Sequence, residues 1–229
     1  METLEKGKAI ELLTSMVKGR VFDQKAMELS TQGYIPGFIH VGIGQEAIAA
    51  GVCCSLRPDD NICITHRGHS QTVAKGADLK YAMAELFGKK IGFCKGKSGS
   101  MHLADKSVGI IGATGIVGAG IPIATGVAFS SQYRGADQVT VCFFGDASVN
   151  QGTFHESLNM ASLWKLPIVY CCENNSWGQF THQKRTTKVI DVATNIPGRS
   201  IPFLSVPGKT ETGLRPWPDI PGPALPPFL

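Results

Sequence analysis

Residues 138–178, QVTVCFFGDASVNQGTFHESLNMASLWKLPIVYCCENNSWG, decide the fold. An apolar run from Val139 to Phe144 stops at Gly145-Asp146. A short run rich in Val and Phe and closed by Gly reads as a buried parallel strand. A helical stretch from about Asn150 to Leu163 follows, opened by Asn150, a residue type suited to an N-cap. A second apolar run, Ile168 to Cys172, ends at Glu173-Asn174-Asn175. Strand, helix and strand form a β-α-β unit, whose crossover rule makes both strands parallel in one sheet. Ligands of open α/β sheets bind outside the carboxyl ends of the strands. Asp146 and Asn175 are thus expected at one edge. A carboxylate and an amide carbonyl are hard oxygen donors of the kind Mg²⁺ takes, with phosphate and water completing the shell. Gly145 lets a ligand come close to the backbone, and the helix start favours an anion. The pattern taken alone fits a Gly-Asp turn and an Asn-Asn loop start equally well.

Gly-Asp, a spacer of just under thirty residues and Asn-Asn resemble the signature of thiamine diphosphate enzymes. GFIHVGIGQEA (37–47), THRGH (65–69), KGKSGSMHLAD (95–105), GIVGAGIP (115–122), NQGTFHESLNMASLWKLP (150–167) and CENN (172–175) extend the likeness. In order and without large gaps, they resemble the alpha subunit of the first component of the pyruvate, branched-chain 2-oxo acid and acetoin dehydrogenase complexes. THRGH, with His66, looks most like the acetoin branch. The resemblance covers roughly residues 5–206. It implies an α/β fold of the thiamine diphosphate-binding type, a mostly parallel sheet with helices on both faces.

The resemblance also implies a site. Asp146 and Asn175 side chains and the Trp177 carbonyl would hold Mg²⁺. His66 and Arg67 would hold the diphosphate of thiamine diphosphate, Gly115 and Val117 would offer backbone groups to its aminopyrimidine, and Ala147 and Ser148 would line the same site. His40 would contact substrate as the catalytic group. Arg suits phosphate for a physical reason, a planar fork of donors; as an isolated residue Arg67 fits a surface ion pair as well. His69 reads as a capping or core histidine. Where the family usually has Gly after the Asp, this chain has Ala147; if that backbone needs a positive φ, binding is expected to weaken. Trp177 replaces the usual Tyr or Gly, which a backbone-carbonyl role tolerates. The glutamate that activates the aminopyrimidine would sit on a beta subunit of an α2β2 assembly, and the acyl group would pass to a lipoyl-bearing acyltransferase.

Composition excludes several classes. The chain has 229 residues, 43% hydrophobic and 17% charged, with net charge +4. No dense Lys/Arg block with interleaved aromatics points to nucleic acid, and no run of 18 apolar residues points to a membrane span. Seven cysteines, odd in number and without a CxxC pair, read as free thiols of a reducing compartment, so a cytoplasmic location is expected. Residues 1–15 read as neither a signal nor a transit peptide. Apolar residues between Leu4 and Leu29 fall at helical spacing, giving one or two helices with charges outward. Helices are also expected over Gly44–Leu56 and 79–88, and a strand over Asn61–Thr65. KGKSGSMH lacks a Walker pattern and reads as a mobile or cofactor-facing loop. GAGIPIATG is not a dinucleotide fingerprint, since no acidic residue follows at the needed distance. The small residues from Ala119 to Ala128 make a helix for close packing, at a subunit interface or internally.

Two domains are expected: a cofactor-binding domain over 1–206 and an atypical tail over 207–229. The tail holds more than half of the chain's 13 prolines, and prolines at that density oppose helix and central strand. The resemblance implies a chain that stops short of the family's later strands and its His-Gly-His segment. Such a chain is expected to be inactive alone, or to serve only as a partner-binding module.

Overall fold

The apolar runs become strands. In the computed structural model, which describes residues 4–192, the run at 139–144 is β3 (Thr140–Gly145) and the run at 168–172 is β4 (Ile168–Glu173). They pair in parallel, with Gly145 opposite Glu173. β1 (Asn61–Thr65) and β2 (Ile110–Thr114) complete a four-stranded parallel sheet of order β2-β1-β3-β4. A separate antiparallel pair joins β5 (Trp177–Gly178) to β6 (Thr181–His182).

The period-two alternation of a strand sends neighbouring side chains to opposite faces. Cys63, Cys142 and Phe144 pack on one face with Ile121 and Ala124 of α5 (Gly120–Tyr133) and Phe154 and Leu158 of α6 (Gly152–Trp164). Ile62, Ile64, Val141 and Phe143 face the other way, onto Cys53 of α2 (Glu46–Cys53) and Ala74 of α3 (His69–Ala74). Both faces of β3 are buried, which is why it reads as a continuous apolar run. The expected α/β fold with helices on both faces is what forms.

A second layer lies outside α3. Phe22 and Ala26 of α1 (Lys6–Thr31) pack with Val73, with Ala82 and Leu86 of α4 (Leu79–Leu86), and with Leu103. The buried residues of α1 are Gly19, Phe22, Asp23 and Ala26, one stripe at i, i+3, i+4, i+7. The expectation that its apolar residues face inward is corrected in part. Ile10, Leu13, Val17, Val21 and Met27 are exposed, because only that one narrow stripe meets the neighbouring helices. Gly19 has a specific reason to be Gly: a Cβ there would lie 2.9 Å from Ser70 Oγ of α3.

The tail expected over 207–229, and the end of the domain expected over 1–206, fall outside the described residues. Among those residues no helix is long and apolar enough to cross a membrane. All seven cysteines are free, and burial raises the Cys63 and Cys171 thiols to about 12.

Candidate functional site at the carboxyl edge of the sheet

Strand order brings the expected site residues into one row. Gly115 and Val117 follow β2, His66 and Arg67 follow β1, Asp146, Ala147 and Ser148 follow β3, and Asn175 and Trp177 follow β4. Three strand spacings separate the ends of the row, roughly 14 Å.

Asp146 begins a 3-10 turn, Asp146–Asn150, directly after β3. Its side chain is buried, and Oδ2 has no hydrogen-bond partner. The carboxyl is held above the usual Asp range, first by burial, against the opposing pull of the Asn175 backbone N–H. A buried carboxylate oxygen without a donor costs free energy unless a cation or donor reaches it. Asn175 folds back so that its Oδ1 accepts the Trp177 N–H at 2.9 Å. Trp177 then pairs with His182 across β5-β6, with their rings edge to face at 5.1 Å. Ser148 Oγ–H donates to the Gly145 carbonyl. The set is oxygen-rich and holds a single carboxylate. No group of three or more His, Cys, Asp or Glu able to hold a metal occurs among the described residues. Those donors fit a Mg²⁺ that takes most of its shell from phosphate and water, and fit poorly the nitrogen and sulfur preferences of zinc.

The β1 half is built differently. His40 and His66 lie edge to face, 5.2 Å between ring centroids. Both imidazoles are pushed below the usual His value, by burial first and then by the Arg67 charge. Arg67 donates through a guanidinium N–H to the Val41 carbonyl at 3.0 Å. The segment KGKSGSMH does not hang free. The Glu85 carboxylate of α4 accepts N–H groups from Cys94, Gly96 and Ser98 and the Ser98 hydroxyl, at 2.8–2.9 Å. That pinning sets Ser100 and His102 beside the site: a Cβ on Gly115 would lie 3.4 Å from the His102 ring. Gly115 is half-buried and Val117 exposed, between β2 and α5.

The sequence profile of the family described as "Dehydrogenase E1 component" matches residues 13–210. The chain belongs to the dehydrogenase E1 component family. An acetoin:2,6-dichlorophenolindophenol oxidoreductase alpha subunit of Bacillus subtilis is 46% identical over 207 residues, covering 90% of this chain and 62% of its own. The equivalent subunit of Cupriavidus necator is 41% identical, with the same coverage of both chains. A chloroplastic pyruvate dehydrogenase E1 component alpha-3 subunit of Arabidopsis thaliana is 39% identical, covering 93% of this chain and 51% of its own. The chain thus spans about half to three-fifths of the length of these relatives. A solved thiamin diphosphate-dependent enzyme described as putative, from Mycobacterium smegmatis, aligns with 70% of this chain and 24% of its own at TM-score 0.41 and 18% identity.

Two details of this edge differ from expectation. Asn150 does not cap α6; Gln151 holds the N-cap position without a side-chain bond, and the Asn150 amide donates to Thr187 Oγ1 at 3.0 Å. The intervening 3-10 turn displaces the helix start. Ala147 is not among the residues with positive φ, so the expected weakening from backbone strain does not apply. Ala147 instead packs on Gly178, where an added Cβ would lie 3.0 Å from its own. Crowding has moved to the partner, and Gly178 is the small member of the pair.

His69 is the core histidine expected. Its partners Asp23 and Ser100 carried no local signal, being 46 and 31 residues away. Glu173, inside the CENN motif, was likewise not singled out. It is buried, bonded to Thr65 Oγ1 and the Gln71 amide, and burial raises its carboxyl to about 7.

Proposed function

We propose that this E1-family chain binds Mg-thiamine diphosphate at the carboxyl edge of its sheet and supplies the alpha half of a shared active site. One observation carries the reading: Asp146 Oδ2 is buried without a partner beside Asn175, at the end of β3. Asp146, the Asn175 amide and the Trp177 carbonyl would hold Mg²⁺. His66 and Arg67 would hold the diphosphate, with Ala147 and Ser148 lining the cradle and backbone groups of Gly115 and Val117 at the aminopyrimidine. The cofactor, when bound, supplies an electron sink for the carbanion left by C–C cleavage. The chain's own part is to bind, orient and exclude water. His40, whose imidazole is held below the usual His value by burial and then by the Arg67 charge, can accept or return a proton near a substrate carbonyl.

The substrate class follows the relatives: acetoin cleavage or pyruvate decarboxylation, with the acetyl group passed to a lipoyl carrier. A beta subunit, in an α2β2 arrangement, would complete the site, and the cytoplasm is the proposed location. A second reading, a partner-binding module without turnover, draws on the exposed apolar cluster of Phe129, Tyr133, Leu163 and Trp164 on α5 and α6.

Calorimetric titration with thiamine diphosphate and Mg²⁺ tests the first reading. Asp146→Ala is expected to weaken binding by about 100-fold or more, since a metal ligand is lost outright. Binding that ignores Asp146 sinks the proposed site. Turnover on acetoin or pyruvate after adding a beta subunit separates the enzyme from the module.

A further inference from the structure

We infer that Asp23, His69 and Ser100 are positioning residues, a buried hydrogen-bonded relay that fixes the His40 loop against His66 and Arg67. The inference rests on the reading of His40 as the substrate-facing group. Asp23 lies on α1, His69 opens α3, and Ser100 begins a 3-10 turn, Ser100–His102. Asp23 and His69 are fully buried and Ser100 nearly so. Asp23 Oδ1 is 2.6 Å from His69 Nδ1, and His69 Nε2 is 3.0 Å from Ser100 Oγ.

The donors and acceptors fall into one consistent order. A carboxylate only accepts, so the His69 Nδ1–H donates to Asp23; in the neutral imidazole Nε2 is then an acceptor. The Ser100 hydroxyl donates to Nε2, and its lone pair accepts the His40 backbone N–H at 3.2 Å. The second oxygen of Asp23 accepts the Gly42 N–H at 2.8 Å. Between them, the Val41 carbonyl accepts from Arg67. Three successive residues of the loop are therefore clasped, two by the ends of the relay and one by a diphosphate-side arginine.

The same residue types elsewhere activate a serine as nucleophile. Here that role is closed, because Ser100 is buried and its oxygen is occupied by the His40 N–H. The relay faces the backbone of the loop, and the loop needs it. His40 Nδ1 has no hydrogen-bond partner, so the ring takes its orientation from the backbone and from the His66 ring, not from a bond of its own. Hydrogen-bonded chains of this kind gain strength when every member is satisfied, which holds for each atom of the relay.

The test is NMR on the full chain labelled at histidine and on the backbone. The readouts are the mutual ring-current shifts of His40 and His66 and the exchange rates of the His40 and Gly42 amides. Ser100→Ala is expected to speed His40 amide exchange by about tenfold or more and to erase the ring-current shifts, with a lowered melting temperature because His69 Nε2 and the His40 N–H lose their partner. Ser100→Thr, which keeps the hydroxyl, is expected to restore both. His69→Gln gives a second break in the relay that leaves Ser100 in place. Unchanged ring shifts and exchange rates in both Ser100→Ala and His69→Gln overturn the relay. Cofactor titration of the same samples keeps the two readings apart. A wild-type chain that shows the relay signature without binding Mg-thiamine diphosphate retains the relay and loses the cofactor site. A chain that binds the cofactor while Ser100→Ala shifts nothing does the reverse.

Discussion

The two halves of the sheet edge contrast in how they treat buried charge. In the layer of α1 and α3 behind the β1 half, Asp23 has both oxygens occupied, by His69 and by the Gly42 N–H. After β3, Asp146 is equally hidden from solvent but keeps Oδ2 without a partner. The first carboxylate is finished by the protein and holds a loop in place. The second is left open, as a site waiting for a cation would be. Burial alone therefore does not mark a functional carboxylate. The proposed cation site rests on a second feature, an unmet bonding capacity at a strand end.

That contrast predicts unequal effects on stability without ligand. Asp23→Ala strands the His69 N–H and the Gly42 N–H in the interior, and its expected cost is about 3–5 kcal/mol. Asp146→Ala removes a carboxylate whose ionised form burial disfavours, so its expected change is within about 1 kcal/mol in either direction. Denaturant unfolding of both variants at neutral pH reads the difference. Similar losses at the two positions would break the comparison, since both carboxylates would then be structural.

Glu173 spans the seam between the halves. It ends β4, yet it accepts from Thr65 at the end of β1 and from Gln71 on α3. Its folded pKa, about 7, lies above the ordinary 4.5. Between those values the folded chain binds a proton the unfolded chain has lost. Its contribution to stability is thus present at low pH and lost as pH rises through about 7, to a total of about 3 kcal/mol. Glu173→Gln is expected to gain on the wild type progressively between pH 5 and 8. Parallel stability curves for the two proteins across that range would show that Glu173 is not held protonated.

Much of the fold was legible, for physical reasons that also explain the gaps. β1, β3 and β4 announced themselves because their apolar runs are contiguous and closed by turn residues, and Asn61–Thr65 coincides with the expected strand. β2, Ile110–Thr114, was hidden because glycines at 109, 112 and 115 interrupt its pattern. α3 was hidden because five of its six residues are buried although four of those are the polar His69, Ser70, Gln71 and Thr72. The site residues at strand ends could be placed because topology carries them there. The relay could not, since Asp23, His69 and Ser100 meet only when three separate elements pack. The buried face of α1 proved narrower than its apolar residues imply, because helical spacing counts apolar residues without saying how many neighbours the helix will meet.

The smallest prediction sharpens the Asp146 half. Ala147 stands where the family usually has Gly, and a positive φ there would have made Ala a strained substitute. The backbone is not in that region, so Ala147→Gly relieves nothing. Gly instead loosens the unfolded chain, at an expected cost of about 0.5–1 kcal/mol in stability. It also removes the methyl that packs on Gly178 beside Trp177, so affinity for Mg-thiamine diphosphate should hold or fall slightly. A several-fold gain in affinity, read by the same calorimetry as Asp146→Ala, would mean that the 3-10 turn must reopen to a glycine-like conformation when the cradle closes on its ligand. In that case the free carboxylate oxygen would mark only the resting geometry of the site.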